Sequence, residues 1–120
     1  MYLSAFAHRG LRPQKSKWAA GITPAIEYDT FCLADAGFWH DGDGNYWGIR
    51  DGGRTQLGQR GERLCKFPRI ANDIDPWHGY PVSPLENGDI DCPADELVTS
   101  WFRSGIVSRE IRNKILKHKL

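Results

Sequence analysis

The chain has 120 residues, of which 40% are apolar, with 16 Lys and Arg against 15 Asp and Glu. This length predicts a single domain over residues 1–120, and five Trp, four Tyr and five Phe supply large side chains for its core. The formal charge of +1 excludes a uniformly basic nucleic-acid binder and a strongly acidic mimic.

The three cysteines, Cys32, Cys65 and Cys92, are far apart and include no C-x-x-C pair. An odd number of widely spaced cysteines is typical of free thiols in a reducing compartment, not of a disulfide framework or a zinc site. The N-terminal residues lack the pattern of a secretory signal, and no apolar run is long enough to span a membrane. We therefore expect a cytoplasmic protein without a bound metal, a cofactor or a membrane partner.

Residues 23–37 carry the signals of a helix and of a strand. Thr23 is a favoured N-cap, Pro24 suits the first helical turn, and Gly37 is a common residue just past a helix end. Over residues 26–32, however, mostly apolar residues alternate with the two acidic residues, and this pattern also fits a half-buried strand. We favour the helix, which would be the N-terminal helix of the domain, and keep the strand as the alternative.

Residues 38–50 give the clearest β signal, because two aromatic-rich segments flank the turn-forming residues 42–45. A four-residue loop would pair Phe38 with Ile49 and His40 with Trp47. In this register Trp39 would cover the gap left by Gly48. Further strands are predicted at 54–57 and 62–67. Together they predict an antiparallel β-meander over about residues 38–67.

The C-terminal region predicts two short helices joined by a tight turn. Asp91 is the predicted N-cap of a helix that ends near Arg103, and Ser108 is the predicted N-cap of a second helix that ends near Lys117. Apolar residues recur at helical spacing in both segments. The fold class is therefore α+β: a β-meander packed with a C-terminal αα-hairpin and an N-terminal helix.

Charge is distributed in blocks along the chain. Residues 27–43 and 73–96 carry acids without bases, whereas residues 50–69 and 103–119 are mainly basic. Such blocks either neutralise one another in the fold or form separate charged surfaces. The total charge does not distinguish these arrangements.

Two short segments contain groups that are able to bind or react. Residues 41–45 begin like a calcium-binding loop, but Tyr46 stands where the sharp turn needs Gly, and Gly52 stands where the bidentate Glu belongs. We therefore interpret residues 41–45 as a hairpin turn. Residues 73–81 hold two carboxylates, an imidazole and two large aromatic rings on a proline-stiffened loop, where functional side chains are often found.

The function that we favour is a small non-enzymatic binding domain with an aromatic- and arginine-rich surface. Its partner would be another protein, a second copy of the chain in a homodimer, or a small ligand, because aromatic residues and Arg dominate binding energy at interfaces. The residues predicted to bind are Trp39, Tyr46, Trp77, His78, Tyr80, Arg50 and Arg54, with Arg60 and Arg63 extending the charged rim.

Two other function classes stay open at this point. A small hydrolase would use His78 as a base oriented by Asp75 or Asp73, with arginines binding a phosphate-type substrate. A nucleic-acid-binding protein would use the basic blocks 50–69 and 103–119, with the second C-terminal helix as the basic element.

Overall fold

The structure, a computed structural model, describes residues 1–4, 16–72 and 74–120. Its helices are α1 (Pro24–Ala36), α2 (Pro84–Asn87), α3 (Asp95–Arg103) and α4 (Arg109–Leu116), and its strands are β1 (Tyr46–Ile49), β2 (Leu64–Phe67) and β3 (Tyr80–Val82). The α+β class is confirmed, with the N-terminal helix and the C-terminal αα-hairpin both present. Within the described residues, no helix has the length and apolar character that crossing a bilayer requires.

Helix α1 begins and ends where its capping residues predict. The Thr23 hydroxyl accepts a hydrogen bond from the backbone N–H of Ile26 at 3.2 Å, and Gly37 follows the last turn. The helix packs against β1 through the fully buried residues Glu27, Thr30 and Ala34. The helix hypothesis for this segment is therefore confirmed over the strand.

The sheet is antiparallel in the order β1-β2-β3. Gly48 faces Cys65 across the first pair of strands, and Cys65 faces Pro81 across the second. The third strand thus comes from residues 80–82 and not from residues 54–57, a segment without strand structure. A proline is compatible with β3 because this strand is at the sheet edge, where one row of backbone groups needs no partner strand.

The turn before β1 differs from its predicted register. His40 bridges Tyr46 instead of Trp47, and the backbone N–H of Asp41 donates to the carbonyl of Asn45. Phe38 does not pair with Ile49: it has a left-handed φ of 55° and is 72% exposed. The reason is that Asp41 itself belongs to the turn, which lengthens the loop by one residue and shifts the pairing.

The space beside Gly48 is also filled differently from the prediction. A Cβ at Gly48 would meet the Cys65 sulfur and a Thr30 methyl, whereas the Trp39 indole covers Gly37. Trp39 therefore packs against the end of α1, and the nearest atoms beside Gly48 come from other residues.

Helices α3 and α4 form a hairpin around the turn at Gly105, whose φ is 76°. The Ser108 hydroxyl accepts from the backbone N–H of Ile111 at 3.1 Å, as its predicted capping role requires. Asp91 is not the cap of α3, because Ala94 occupies that position. The core joins this hairpin to the sheet, and its buried members include Trp47, Ile49, Leu57, Leu64, Phe67, Val82, Val98, Trp101 and Ile115.

Candidate functional site

A groove of about 910 Å³ lies between the turn before β2, strand β3 and the segment that contains α2. This volume is in the range of small-molecule and peptide sites, which is roughly 300–1,000 Å³. The described residues that line it include four from the predicted sets: Arg60, Arg63, His78 and Tyr80. The others are Ser16, Gly61, Glu62, Pro81, Ser83, Leu85, Glu86, Asn87, Ile90, Asp91, Lys119 and Leu120.

Strand β3 positions the aromatic wall of the groove. Tyr80 begins the strand and pairs with Lys66 of β2, while the preceding His78 is exposed at the groove surface. Burial raises the pKa of the Tyr80 phenol, and the nearby Asp91 carboxylate raises it further. The phenol therefore stays neutral at physiological pH and contributes a hydrogen-bonding hydroxyl beside an apolar ring.

The acidic side chains of the groove are mostly held within the protein. Glu62 is 7% exposed, and its Oε1 accepts the backbone N–H of Arg60 at 2.8 Å. Asp91 is 9% exposed, and its Oδ2 accepts the backbone N–H of Ser83 at 3.0 Å and the Asn87 amide at 2.7 Å. A molecule in the groove meets these two carboxylates with their hydrogen-bonding capacity already partly used.

The cationic side chains of the groove are more accessible than those two acids. Arg60 and Lys119 are exposed, and Arg63 is half-buried. The Arg63 Nη1 donates to the carbonyls of Gly53 at 3.2 Å and Arg54 at 2.7 Å, which holds its guanidinium at the groove wall. Glu86 is the exposed acid of the lining, so the accessible charge is mainly positive.

Two aliphatic side chains of the lining are exposed to solvent. Leu85 is 61% exposed and Ile90 is 71% exposed. Their positions follow from the Asp91 hydrogen bonds, which fold residues 83–91 back on themselves, and from the Lys66 Nζ, which donates to the Ile90 carbonyl at 3.4 Å. The segment is thus fixed to the sheet with both aliphatic side chains at the groove.

The predicted anchors Tyr46 and Trp77 lie together, away from this groove. Their ring centroids are 5.3 Å apart, and Phe31 of α1 lies 5.8 Å from Tyr46 and 5.5 Å from Trp77. The Tyr46 hydroxyl donates to Asp35 at 3.1 Å, and burial raises the pKa of that phenol, with a further increase from the Asp35 contact. Both rings are half-buried, so they contribute to packing as well as to the surface.

The remaining predicted binding residues lie elsewhere. Trp39 is 8% exposed and packs edge-on against Trp101, with ring centroids 5.5 Å apart, so it belongs to the core. Arg50 joins β1 to α1, donating to Asp29 and Thr30 at 2.9 Å each. Arg54 is exposed, 3.9 Å from the Asp51 carboxylate. The structure therefore distributes the predicted set over several places.

The residues of the hydrolase hypothesis are brought together only in part. No hydrogen bond or ion pair joins His78 to Asp75. Asp75 is outside the groove lining, and its backbone N–H donates to the Asn72 side chain at 2.9 Å. Asp73 lies outside the described residues. Among the described residues, no cluster of three or more His, Cys, Asp or Glu side chains is placed to hold a metal ion.

Sequence reasoning missed Leu85 and Ile90, and it assigned Lys119 to the basic block 103–119 and not to this groove. Leu85 and Ile90 are isolated aliphatic residues in an acidic, proline-rich segment for which no helix or strand is predicted. The one local signal was the Ser83-Pro84 pair, which predicts a helical start, and Ser83 does accept from the Glu86 N–H at 3.2 Å. The exposure of Leu85 and Ile90 depends on the long-range packing of this segment against β2.

In comparisons with known proteins, no protein-family model, no curated protein and no solved structure matches this chain.

Proposed function

We propose that this protein is a non-enzymatic binding domain, and that its groove holds a segment of a protein partner. The observation that carries the proposal is the pairing of two exposed aliphatic side chains, Leu85 and Ile90, with accessible cations along one groove. Covering such side chains removes apolar surface from water, which is favourable, and exposed apolar patches beside polar residues mark interaction sites.

The chemistry of the groove favours a partner segment with apolar and acidic side chains. Leu85 and Ile90 offer apolar area, and the neutral Tyr80 phenol offers a ring with a hydroxyl. Arg60 and Lys119 are exposed and positively charged, whereas the carboxylate-bearing Glu62 and Asp91 are buried. An incoming carboxylate therefore meets more accessible positive than negative charge.

The proposal is tested with a displayed library of random peptides that is selected on the folded protein. We expect the selected sequences to combine aliphatic residues with Asp or Glu. The double variant Leu85→Ser/Ile90→Ser is expected to lose at least about tenfold in affinity for a selected peptide, since each buried aliphatic side chain contributes roughly 1.5–3 kcal/mol. Both residues are exposed, so the variant is expected to keep the fold.

Ile74→Ser is the matched control. Ile74 is 83% exposed and does not line the groove, so its replacement removes one exposed aliphatic side chain without changing the site. Binding that falls equally in this control and in the groove variant would contradict the proposal. A library that yields no peptide sensitive to Leu85→Ser/Ile90→Ser would contradict it as well.

Analytical ultracentrifugation distinguishes a second copy of the chain from a different partner. Concentration-dependent dimerisation that is lost in Leu85→Ser/Ile90→Ser would identify the partner segment as part of this chain. A monomer at all concentrations, combined with peptide binding in the groove, would identify a different protein as the partner.

A further inference from the structure

The αα-hairpin carries a second charged surface, formed by an aromatic ring and two arginines. The guanidinium carbon of Arg112 is 4.6 Å from the ring centroid of Phe102, and that of Arg109 is 5.7 Å from it. Phe102 is in the last turn of α3, while Arg109 and Arg112 are in the first turns of α4. We call these three residues the elbow cluster.

The elbow cluster lacks an acidic counterpart within the described chain. The ion pairs between described residues join Arg50 to Asp29, Arg54 to Asp51, Lys114 to Glu110 and His118 to Asp89. Neither Arg109 nor Arg112 is among them. The nearest acid in sequence, Glu110, already pairs with Lys114 at 3.6 Å.

The acids at the start of α3 lie at its opposite end. Asp95 precedes Phe102 by seven residues, which corresponds to about 10 Å along a helix axis. This distance is close to the screening length at 0.1 M salt, about 10 Å. At this distance, salt attenuates the effect of the acidic start of α3 on the positive potential at the elbow cluster.

Stacking leaves the guanidiniums suited to bind an anion. A guanidinium beside an aromatic ring gains cation–π attraction and keeps its N–H donors available for bidentate binding. Arg112 uses Nε and Nη2 to donate to the Asn113 side chain at 3.2 and 3.1 Å, which further fixes its orientation and leaves Nη1 available. Arg109 is exposed and has no side-chain hydrogen bond to a described residue.

We propose that the elbow cluster and the cationic helix that follows it bind the phosphodiester backbone of a nucleic acid. Residues 109–119 carry five Lys and Arg against one Glu. A ligand that neutralises such a series needs repeated negative charges, which a nucleic-acid backbone supplies at regular intervals. Helix α4 has eight residues, and the diameter of a helix with its side chains, about 10–12 Å, fits the DNA major groove, which is about 12 Å wide.

The elbow cluster shares no residue with the proposed peptide groove, although Lys119 belongs both to residues 109–119 and to the groove lining. Leu85 and Ile90 belong to the α2 region, whereas the elbow cluster belongs to the turn between α3 and α4. Leu85→Ser/Ile90→Ser is therefore expected to leave nucleic-acid binding unchanged, and Arg109→Gln/Arg112→Gln is expected to leave peptide binding unchanged.

The experiment measures fluorescence anisotropy with labelled duplex and single-stranded oligonucleotides at about 50 and 200 mM salt. We expect salt-dependent binding that weakens at the higher salt. The duplex and single-stranded arms identify which form of the backbone is preferred. Arg109→Gln/Arg112→Gln is expected to lose at least about tenfold in affinity and to lower the salt slope by about 2, since each arginine contributes about one unit.

Two further variants distinguish binding at a specific site from binding through the net charge of the protein. Arg69→Gln removes an exposed arginine beside the turn at Gly44, so it matches the charge change of the single variant Arg109→Gln. We expect at most about a twofold loss of affinity for Arg69→Gln, because Arg69 belongs neither to the elbow cluster nor to residues 109–119, and a charge outside the contact acts through screened potential alone. Arg109→Lys/Arg112→Lys keeps the charge but loses the fork geometry, and we expect an intermediate affinity.

Three results would overturn the proposal. The first is the absence of binding at about 50 mM salt, where backbone contacts are strongest. The second is an equal loss of oligonucleotide affinity for Arg69→Gln and Arg109→Gln. The third is complete displacement of the oligonucleotide by an equal charge concentration of poly-glutamate, which would assign the elbow cluster to an acidic protein instead. Circular dichroism of each variant confirms that the comparison is made between folded proteins.

Discussion

The indole Nε1 of Trp47 donates a hydrogen bond to the Asp41 carboxylate, 3.0 Å from Oδ2. The same carboxylate accepts the backbone N–H groups of Asp43 and Asn45 at 2.9 and 3.0 Å, and the Asn45 amide at 3.1 Å. Partial burial opposes the charged form, but these hydrogen bonds outweigh it and hold the pKa of Asp41 below its ordinary value. The carboxylate therefore fastens the turn to β1, as the hairpin-turn interpretation of residues 41–45 requires.

Asp41→Asn is expected to destabilise the protein by about 1–2 kcal/mol at neutral pH, because an amide accepts hydrogen bonds less strongly than a carboxylate. The pKa of Asp41 is lower in the folded state, so its charge stabilises the fold above about pH 4 and this contribution is lost as the pH falls through the folded pKa. Urea unfolding at neutral and acidic pH is expected to show the two proteins converging in acid.

Asp43→Asn is the matched control for this experiment. Asp43 is exposed, and its side chain makes no hydrogen bond with a described residue. We expect Asp43→Asn to change the free energy of unfolding by at most about 0.5 kcal/mol at both pH values. A loss as large as that of Asp41→Asn would show that charge repulsion in the turn, and not the hydrogen bonds of Asp41, determines the effect.

Gly48→Ala is expected to destabilise the protein by about 1–3 kcal/mol, the usual effect of overpacking a core. A Cβ at this position would lie 2.6 Å from the Cys65 sulfur and 3.0 Å from a Thr30 methyl, between the sheet and α1. At Gly42 a Cβ would meet nothing within 4 Å. Gly42→Ala is therefore expected to change the free energy of unfolding by at most about 0.5 kcal/mol. Thermal melting of both variants tests this, and equal midpoints would contradict the close packing of α1 on β1.

The thiols of Cys65 and Cys92 are expected to react slowly in the folded protein. Burial raises the pKa of the Cys65 thiol, and the charge of Glu27 raises it further. Burial, followed by the charges of Asp95 and Asp89, raises the pKa of Cys92 to about 11. At pH about 8, therefore, roughly one Cys92 thiol in a thousand is the reactive thiolate.

Kinetic labelling with a chromogenic disulfide measures how fast these thiols react in the folded and in the denatured protein. In a Cys32→Ser variant, which leaves two thiols, we expect little labelling under native conditions and two equivalents in denaturant. Rapid release of two equivalents without denaturant would show that Cys65 is accessible in the folded state.

Trp39→Ala is expected to destabilise the protein by about 3–5 kcal/mol, as expected for a large aromatic side chain removed from a core. The indole packs against Trp101 and covers Gly37 at the end of α1. Loss of partner binding in this variant is therefore expected to follow the fraction unfolded, measured by near-UV circular dichroism. Full stability of Trp39→Ala combined with lost binding would instead place Trp39 at the interface.

Local signals predicted the elements whose stabilising contacts lie close in sequence. The ends of α1 follow from Thr23 and Gly37, and the start of α4 follows from Ser108, because each capping contact spans only a few residues. The position of β3 was not predicted, because Pro81 argues against a strand until its place at the sheet edge is known. The register at His40 was missed because an Asp41 side chain, not a backbone pattern, determines that turn.

The candidate groove was predicted in part. His78 and Tyr80 were singled out because a proline-stiffened loop held them close together, and both line the groove. Leu85 and Ile90 were not singled out. The exposure of an aliphatic side chain depends on what packs against its segment and not on its neighbours in sequence. The Lys66 contact with the Ile90 carbonyl spans 24 residues.

The sequence by itself determined the α+β composition, the capped helices and the alternation of charged blocks, since these depend on residue type and short spacing. Only the tertiary structure decided which of the aromatic and charged residues share a surface. It buried Trp39, placed Tyr80 beside Asp91 and brought Arg109 and Arg112 to the ring of Phe102. Side chains distant in the sequence meet only when the whole core closes, because burying apolar surface is a collective gain that no single segment obtains alone.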